Sequence, residues 1–419
     1  MAWKRLQKTV EVMIIGLAFL LANRRVFVCY MEGFNPPQYC RYASAWKEIA
    51  LWLVVILMMA WVLYRERLLK DYFRAWGRNW PLILFTGIAT LSLLWTVFFS
   101  ASLYRVFVLI LSSLLAAYIG VRYKANEVLR VLAWIGAGAA VLSVFMAVAL
   151  PGAGTMIGYP YYGSWRGIFW HRNHLGSLMA LFNLVFLFRL ASGARSNKAQ
   201  VAVDGGFYLL TLALVFLSRS ATGIILAVLL NFVFILVMAW LKWGSRLRPL
   251  HYYILAACFL AASAAVVLNL DFLLGLLNRN ASLTGRIPLW NYLVHDVVSQ
   301  RLFLGYGFGA VWNINSFRIL TQEVVGWPFP VLIADNGYLD ILMHLGMVGL
   351  ISFLLVVTLT CVRAVGFLKA RRLVIGFVPA MLMLYVLVGN MSFSLFLELE
   401  EFVWIVMLAI LFMTTPDRV

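Results

Sequence analysis

Charged residues are scarce in this chain, and acidic residues are less than half as common as basic ones. Of 419 residues, 12% are charged, with 16 Asp or Glu against 34 Lys or Arg, while 64% are hydrophobic. An apolar share this far above that of a soluble domain requires lipid as its solvent. The composition therefore excludes a soluble enzyme and predicts a polytopic membrane protein.

Cysteine and histidine are also rare, with four and five residues. Cys258 and Cys361 fall within hydrophobic runs, where a cysteine behaves as a small core residue. Cys29 and Cys40 share the first predicted outer loop, and the sequence leaves open a disulfide between them in an oxidising compartment.

Hydrophobic runs long enough to cross a bilayer recur along the chain. Inside hydrocarbon every backbone N–H and C=O must be satisfied within its own segment, so we expect helices. The runs predict an all-α polytopic protein, a single integral membrane domain over residues 1–419. Its longest outer connection, residues 271–337, forms a helical extracytoplasmic subdomain between spans nine and ten. The twelve predicted spans are 9–22, 48–64, 80–99, 106–121, 131–150, 174–189, 206–218, 221–241, 252–270, 338–361, 373–390 and 401–414.

Basic residues predict the orientation of these spans. Twenty-two of the 34 lie in one set of short connections, which the positive-inside rule assigns to the cytoplasm together with both termini. Topology and contact with anionic membrane lipids then account for most of the net charge of +18. The charge therefore gives no reason to expect a nucleic-acid partner.

Polar side chains concentrate where the outer loop 151–173 re-enters the bilayer, with Arg166 and the run His171-Arg172-Asn173-His174. A helix N-terminus attracts anions, and Arg172 and Asn173 add donors for a phosphate or a sugar. An interfacial belt of tryptophans and imidazoles explains the same residues equally well. Zinc is not expected, because His171 and His174 lack a nearby carboxylate or thiol.

Two further arginines stand at predicted outer helix ends. Arg219, in Leu-Ser-Arg-Ser-Ala-Thr-Gly, lies at membrane depth or just outside it, where an arginine costs about 2.5–3.5 kcal/mol and is functional by default. Arg286 opens a predicted amphipathic surface helix, so its guanidinium and the helix dipole would act on one anion. The structural alternatives are snorkelling of Arg219 to the interface and an ordinary surface role for Arg286. The apolar face of that helix is predicted to hold Ile287, Trp290, Leu293, Val294, Val297 and Val298.

Asp335 and Asn336 fall at the predicted N-cap of span ten, and capping alone could explain both. Asp340 and His344 lie progressively deeper on the same helix, and we expect His344 to be buried rather than catalytic. The run Gly305-Tyr-Gly307-Phe-Gly309 lacks the full spacing of a nucleotide-binding loop and predicts a close-packed turn.

Together these motifs resemble the O-antigen ligase and polymerase superfamily. The resemblance rests on Phe169-Trp-His171-Arg172-Asn173 with Leu175-Gly176, Ser218-Arg219-Ser220, Gly285-Arg286 with Trp290, Leu304-Gly305-Tyr-Gly307, Asn336-Gly-Tyr-Leu339 and Leu345-Gly346-Met-Val-Gly349.

The resemblance implies an inverting, metal-independent glycosyltransferase without a cofactor. Its donor would be a polyprenyl-diphosphate-linked glycan, and its acceptor a hydroxyl of a lipid core or a glycan. The two family arginines that hold the diphosphate match Arg219 and Arg286. The family's histidine before an asparagine, which activates the acceptor, is replaced here by Asp335 before Asn336. A carboxylate can take this role of general base.

The residues expected to bind substrate are Arg172, His171, Asn173, Arg166, Asn336 and Trp290. The protein would lie in the bacterial inner membrane with its site facing the periplasm. Ligation is the first functional prediction, polymerisation of lipid-linked units the second, and transport of a small anion the third. Transport is disfavoured because the spans are poor in midplane charge and in paired broken helices, which a carrier site would need.

Overall fold

The architecture is helical throughout the part of the chain that can be described. A computed structural model describes residues 2–22, 45–158, 161–192, 197–243, 286–313, 321–324, 326, 331, 333–371, 373–395 and 401–416. No β-strand occurs within these ranges, where Thr155 and Trp165 form an isolated bridge. The principal helices are α1 (Ala2–Ala22), α2 (Ala45–Arg65), α3 (Leu69–Arg78), α4 (Trp80–Leu91), α5 (Phe99–Arg122), α6 (Ala125–Ala149), α7 (Arg172–Ser192), α8 (Lys198–Leu217), α9 (Ala221–Trp243), α10 (Arg286–Tyr292), α11 (Gly337–Ala370), α12 (Val378–Ser392) and α13 (Glu401–Met413).

Eight of the described helices are long and apolar enough to cross a membrane: α2, α5, α6, α7, α8, α9, α11 and the segment Val374–Ser392. Three shorter apolar stretches, Thr9–Phe19, Trp80–Leu94 and Phe402–Met413, fall where spans are also expected. The all-α membrane class is thus confirmed. The count of twelve stays a prediction, and span 252–270 lies outside the described residues, as do Cys29, Cys40 and Cys258.

Helix α7 forms the centre of the bundle. Every residue from 172 to 186 is buried. Its close approach to α9 depends on small residues, since a Cβ on Gly176 would lie 2.6 Å from Ser220 Cβ, and one on Gly223 would lie 2.5 Å from the Gly176 carbonyl carbon. Small residues at such crossings let two backbones meet in a membrane. The Gly176 and Ser218-Arg219-Ser220 motifs are therefore packed against each other.

Helix α11 is kinked at Gly346, whose φ of 63° is inaccessible to most other residues. The connection before the helix fills the break: the Met347 N–H donates to the Leu302 carbonyl at 2.8 Å, and the Tyr306 N–H donates to the Met343 carbonyl at 3.0 Å. The kink thus joins the 302–309 connection to the membrane bundle.

The glycine run is a close-packed turn, as predicted. Gly305, Gly307 and Gly309 all have positive φ, and a Cβ on Gly305 would lie 2.5 Å from the carbonyl carbon of His344. His344 itself is buried, with 2% of its surface exposed, which confirms that expectation.

The predicted amphipathic face of the surface helix was partly wrong. Leu293, Val297 and Val298 are buried as expected, but Ile287 and Val294 are each 44% exposed. The α-helical turns end at Tyr292, a π-helical segment covers Leu293–Val297, and a 3-10 segment follows. Leu289 is buried in place of Ile287, so the buried face runs through Leu289, Leu293 and Val297, and the change of helix type affects only the positions beyond Tyr292.

Candidate functional site

The first half of the candidate site is the loop that leads into α7. The N–H groups of Arg166 and Gly167 both donate to the Gly154 carbonyl at 2.9 Å. The Arg166 guanidinium donates to the carbonyls of Ala153 at 2.8 Å and Gly152 at 3.3 Å. These bonds fold the loop back on the end of α6 and place His171 and Arg172 at the start of α7.

Arg172 connects this loop to the motif around Arg219. Its guanidinium is buried, lies 4.1 Å from the centroid of the Tyr161 ring, and donates from Nη1 to the carbonyl of Arg219. Asn173 Oδ1 accepts a hydrogen bond from Ser220 Oγ at 3.1 Å. Two motifs almost 50 residues apart are thereby held as one unit.

Arg219 has a left-handed backbone, with φ of 51°. Such a conformation is uncommon for a residue with a side chain and costs on the order of 1–3 kcal/mol. Two serines stabilise it: Ser218 Oγ accepts from the Ser220 N–H at 3.1 Å, and Ser220 Oγ accepts from the Gly223 N–H at 3.2 Å. The turn leaves the Arg219 side chain exposed at the end of α8.

The second half of the candidate site is an ion pair between α10 and the start of α11. Arg286 Nε donates to Asp335 Oδ2 at 2.9 Å, and the two side chains are only 13% and 15% exposed. Asp335 is left-handed as well, with φ of 53°. Asn336 Oδ1 caps α11 by accepting from the N–H groups of Tyr338 and Leu339. Capping of the helix therefore falls to Asn336, whereas the Asp335 carboxylate binds Arg286.

The backbone before Asp335 is anchored by residues on either side. Trp290 Nε1 donates to the Ala334 carbonyl at 2.8 Å, and the Ala334 N–H donates to Asp340 Oδ1 at 3.1 Å. Asp340 is 1% exposed and also accepts from Trp312 Nε1 at 2.9 Å and from Ser394 Oγ. Sequence reasoning had not placed Asp340 in the site. Its signal was an acidic residue inside an apolar span, where an unpaired carboxylate is costly.

His171 links the two halves electrostatically. Burial lowers its pKa well below the usual range, and the positive charges of Arg172, Arg286 and Arg166 and the neighbouring His174 lower it further. His171 is therefore neutral at pH 7. Its Nδ1 accepts the Asn173 N–H at 3.2 Å, so the ring proton lies on Nε2 and that nitrogen is a donor.

Part of the chain, including most of these residues, matches a known protein family. Residues 206–354 match the family model described as O-antigen ligase. This match supports the O-antigen ligase superfamily for that part of the chain. The match contains Arg219, Arg286 and Asp335, while Arg166, His171 and Arg172 precede it. No curated protein matches the chain.

The described geometry brings the predicted site residues together in two units at one end of the bundle. Arg219, with Arg172 and Asn173, forms one fixed unit, and Arg286, with Asp335 and Trp290, forms the other. The charge of Arg286 acts on His171, which ties the second unit to the first. Arginines in both units, a neutral histidine donor and the Asp335 carboxylate suit an anionic substrate that also presents a hydroxyl.

Proposed function

We propose that this protein transfers a glycan from a polyprenyl diphosphate carrier to an acceptor hydroxyl, as an O-antigen ligase. The proposal rests on one observation: Arg286 forms an ion pair with Asp335, and its positive charge, like that of Arg172, also acts on His171. It joins a cation suited to the donor's diphosphate with a carboxylate suited to the acceptor. Substrate contact and catalysis by the individual residues are part of this proposal.

Arg219 and Arg286 would hold the donor's diphosphate. The Arg219 side chain is exposed on a rigid turn, and Arg286 binds Asp335 through Nε alone. The two terminal amino groups of Arg286 make no hydrogen bond within the described residues, so the planar end of the guanidinium can meet two phosphate oxygens. The arginines stabilise the negative charge that develops on the diphosphate as the glycosidic bond breaks.

Asp335 would activate the acceptor. Its carboxylate takes the hydroxyl proton while the acceptor oxygen attacks the anomeric carbon from the face opposite the diphosphate. The new glycosidic bond forms with inversion, and the electron pair of the broken bond leaves with the diphosphate. His171 is less suited to this step, because its accepting nitrogen is already used by the Asn173 N–H.

Arg166, Arg172 and Asn173 would act on the substrate through other residues, since each is bonded to the protein itself. Arg172 and Asn173 fix the Arg219 turn, and Arg166 fixes the loop that carries His171. His171 Nε2 would donate to a donor or acceptor oxygen. Trp290 and Asn336 would hold the backbone on either side of Asp335.

A reconstituted transfer assay tests this function. Purified protein, a polyprenyl-diphosphate-linked glycan and either a lipid core or a second lipid-linked glycan as acceptor should yield product in the presence of EDTA, because guanidinium groups supply the positive charge. Product with the lipid core identifies a ligase, and product with the second lipid-linked glycan alone identifies a polymerase. Loss of transfer in EDTA with rescue by a divalent ion would contradict the arginine-based mechanism.

The site should face the periplasm of a bacterial inner membrane. Reporter tags at Lys198, Ser245 and Val419 should signal the cytoplasm, and tags at Tyr161 and Asn315 the outside. A cytoplasmic signal from the tag at Tyr161 or Asn315 would contradict periplasmic catalysis.

A further inference from the structure

A polar cavity lies at the end of the bundle opposite the candidate site. Its volume is about 480 Å³, and it lies between the ends of α3, α5, α11 and α13 and the start of α6. Helices α5 and α11 show that the two ends are opposite. Val97, two residues before α5, donates its N–H to the Tyr306 carbonyl near the candidate site, and Asn336 caps α11 there, whereas both helices end at the cavity.

Five basic side chains line this cavity: Arg74, Arg78, Arg122, Lys124 and Arg371. Asp71 is the acidic lining residue, 3.5 Å from Arg74 in a half-exposed pair, and Arg122 is paired with Glu11 at 2.9 Å. Among the described residues that line the cavity, five are basic and one is acidic. The helix dipole favours cations at helix C-termini, which could explain the basic residues. It does not explain the open cavity between them.

An apolar cleft meets the basic cavity at Tyr123. The cleft lies between α1, α5, α6 and α13, is lined by residues such as Phe19, Leu132 and Phe402, and has an open volume of about 50 Å³. Tyr123 lines both spaces. A tyrosine between a charged and an apolar region is typical of the headgroup level of a membrane. Because Tyr123 borders both spaces, a ligand that occupied both would meet a charged region and an apolar region.

We propose that the basic cavity binds the phosphate headgroup of an anionic lipid and that the apolar cleft holds part of one acyl chain. The lipid comes from the leaflet at the basic end of the bundle. The cavity volume is within the range of small-molecule sites. Basic pockets between transmembrane helices on the cytoplasmic side suit lipid headgroups of this kind. The site is separate from the proposed glycosyl transfer and does not depend on it.

Native mass spectrometry of the purified protein with added lipid tests the proposal. Phosphatidylglycerol should stay bound at collision energies that remove phosphatidylcholine with the same acyl chains. Arg74→Gln and Arg371→Gln should each lower the affinity for phosphatidylglycerol about fivefold. The matched control is Arg130→Gln, which removes an exposed charge from α6 outside the cavity and should leave the affinity unchanged. Equal retention of the two lipids, or an equal loss in Arg130→Gln, would overturn the proposal.

Two further arms separate a lipid from a soluble phosphate. Val131→Trp should narrow the cleft and weaken the binding of phosphatidylglycerol. Size-exclusion chromatography checks that the variant folds. A short-chain phosphatidylglycerol should bind the unaltered protein more weakly than the long-chain form, and this arm needs no variant. If inorganic phosphate displaced the lipid and raised the melting temperature as much as the lipid does, the cavity would be a soluble phosphate site. The lipid proposal would then be wrong.

Discussion

The two ends of the bundle are both rich in arginine but use it differently. At the candidate site, Arg166 and Arg172 donate to backbone carbonyls, and Arg286 binds a carboxylate that is 15% exposed. At the opposite end, Arg74 is half exposed and pairs loosely with Asp71. The number of charges therefore does not distinguish the ends. The candidate site has three cations held by bonds to the protein, Arg166, Arg172 and Arg286, whereas the opposite end combines the loosely held Arg74 with Arg122, which is paired with Glu11 at 2.9 Å.

Backbone strain adds to this contrast. Among the described residues, the non-glycine residues with positive φ are Arg67, Arg219 and Asp335. Arg67 lies in the exposed turn between α2 and α3, whereas serine hydroxyls hold Arg219 and the bonds to Ala334 hold the turn at Asp335. Strain that the surrounding structure enforces is typical of functional sites. The predictions below alter residues of this arrangement, and three of them include a control at an exposed or loosely packed position.

The largest effect is expected at Asp335. Asp335→Asn keeps the shape and tolerates the left-handed backbone, but it removes the proton acceptor, so transfer should fall by about 10²–10⁴. Asp335→His should restore part of the activity with a pH dependence near pH 6.5. Reconstituted turnover is the measurement, with melting temperature as the folding control. A fully active Asp335→Asn would leave the base to be found elsewhere.

A smaller loss is expected at Arg172, which fixes the Arg219 turn. Arg172→Gln should lower turnover about tenfold because the Arg219 carbonyl loses a charge-assisted hydrogen bond. If Arg172 positions Arg219, donor KM should rise while acceptor KM stays constant, and Arg172→Lys should recover part of the loss. Equal changes in both KM values would indicate a general loss of structure instead.

Part of this organisation could be predicted from the sequence. Hydrophobic run length predicted the helical membrane class, because bilayer thickness sets it. The motifs around Arg219, Arg286 and Asp335 predicted the candidate site, whose role stays a prediction. The sequence could not predict that Arg172 binds a carbonyl while Arg219 stays exposed. That distinction depends on the crossing of α7 and α9. The anchoring role of Asp340 and the kink at Gly346 also arise from tertiary contacts.

The helix crossing itself provides a test of stability. Gly176→Ala places a Cβ 2.6 Å from Ser220 Cβ and 2.7 Å from Ser218 Oγ, so unfolding should become easier by about 1–3 kcal/mol. Gly205→Ala on α8 is the matched control, since nothing lies within 4 Å of its added Cβ. Thermal unfolding in detergent should separate the two variants, and equal melting temperatures would contradict the close crossing.

The smallest effect concerns pH. Because folding lowers the pKa of His171, the unfolded chain binds a proton below about pH 6.5 that the folded protein does not. Stability should therefore decrease as the pH falls below about 6.5, by at most about 1.4 kcal/mol per pH unit from this group. His171→Asn should make that decrease shallower, whereas His295→Asn, at an exposed position, should not. An unchanged pH profile in His171→Asn would exclude this contribution.

The central claim is that Arg219 and Arg286, from distant parts of the chain, hold the same diphosphate. A double-mutant cycle with Arg219→Lys, Arg286→Lys and the double variant tests it, with Arg130→Lys as the control. Lysine replaces a planar fork by a point charge, so each single change should lower turnover by about 10²–10³. If both arginines act on one group, the turnover of the double variant should be only slightly lower than that of the less active single variant. A loss equal to the product of the two single losses would show that they act independently and would contradict a shared site.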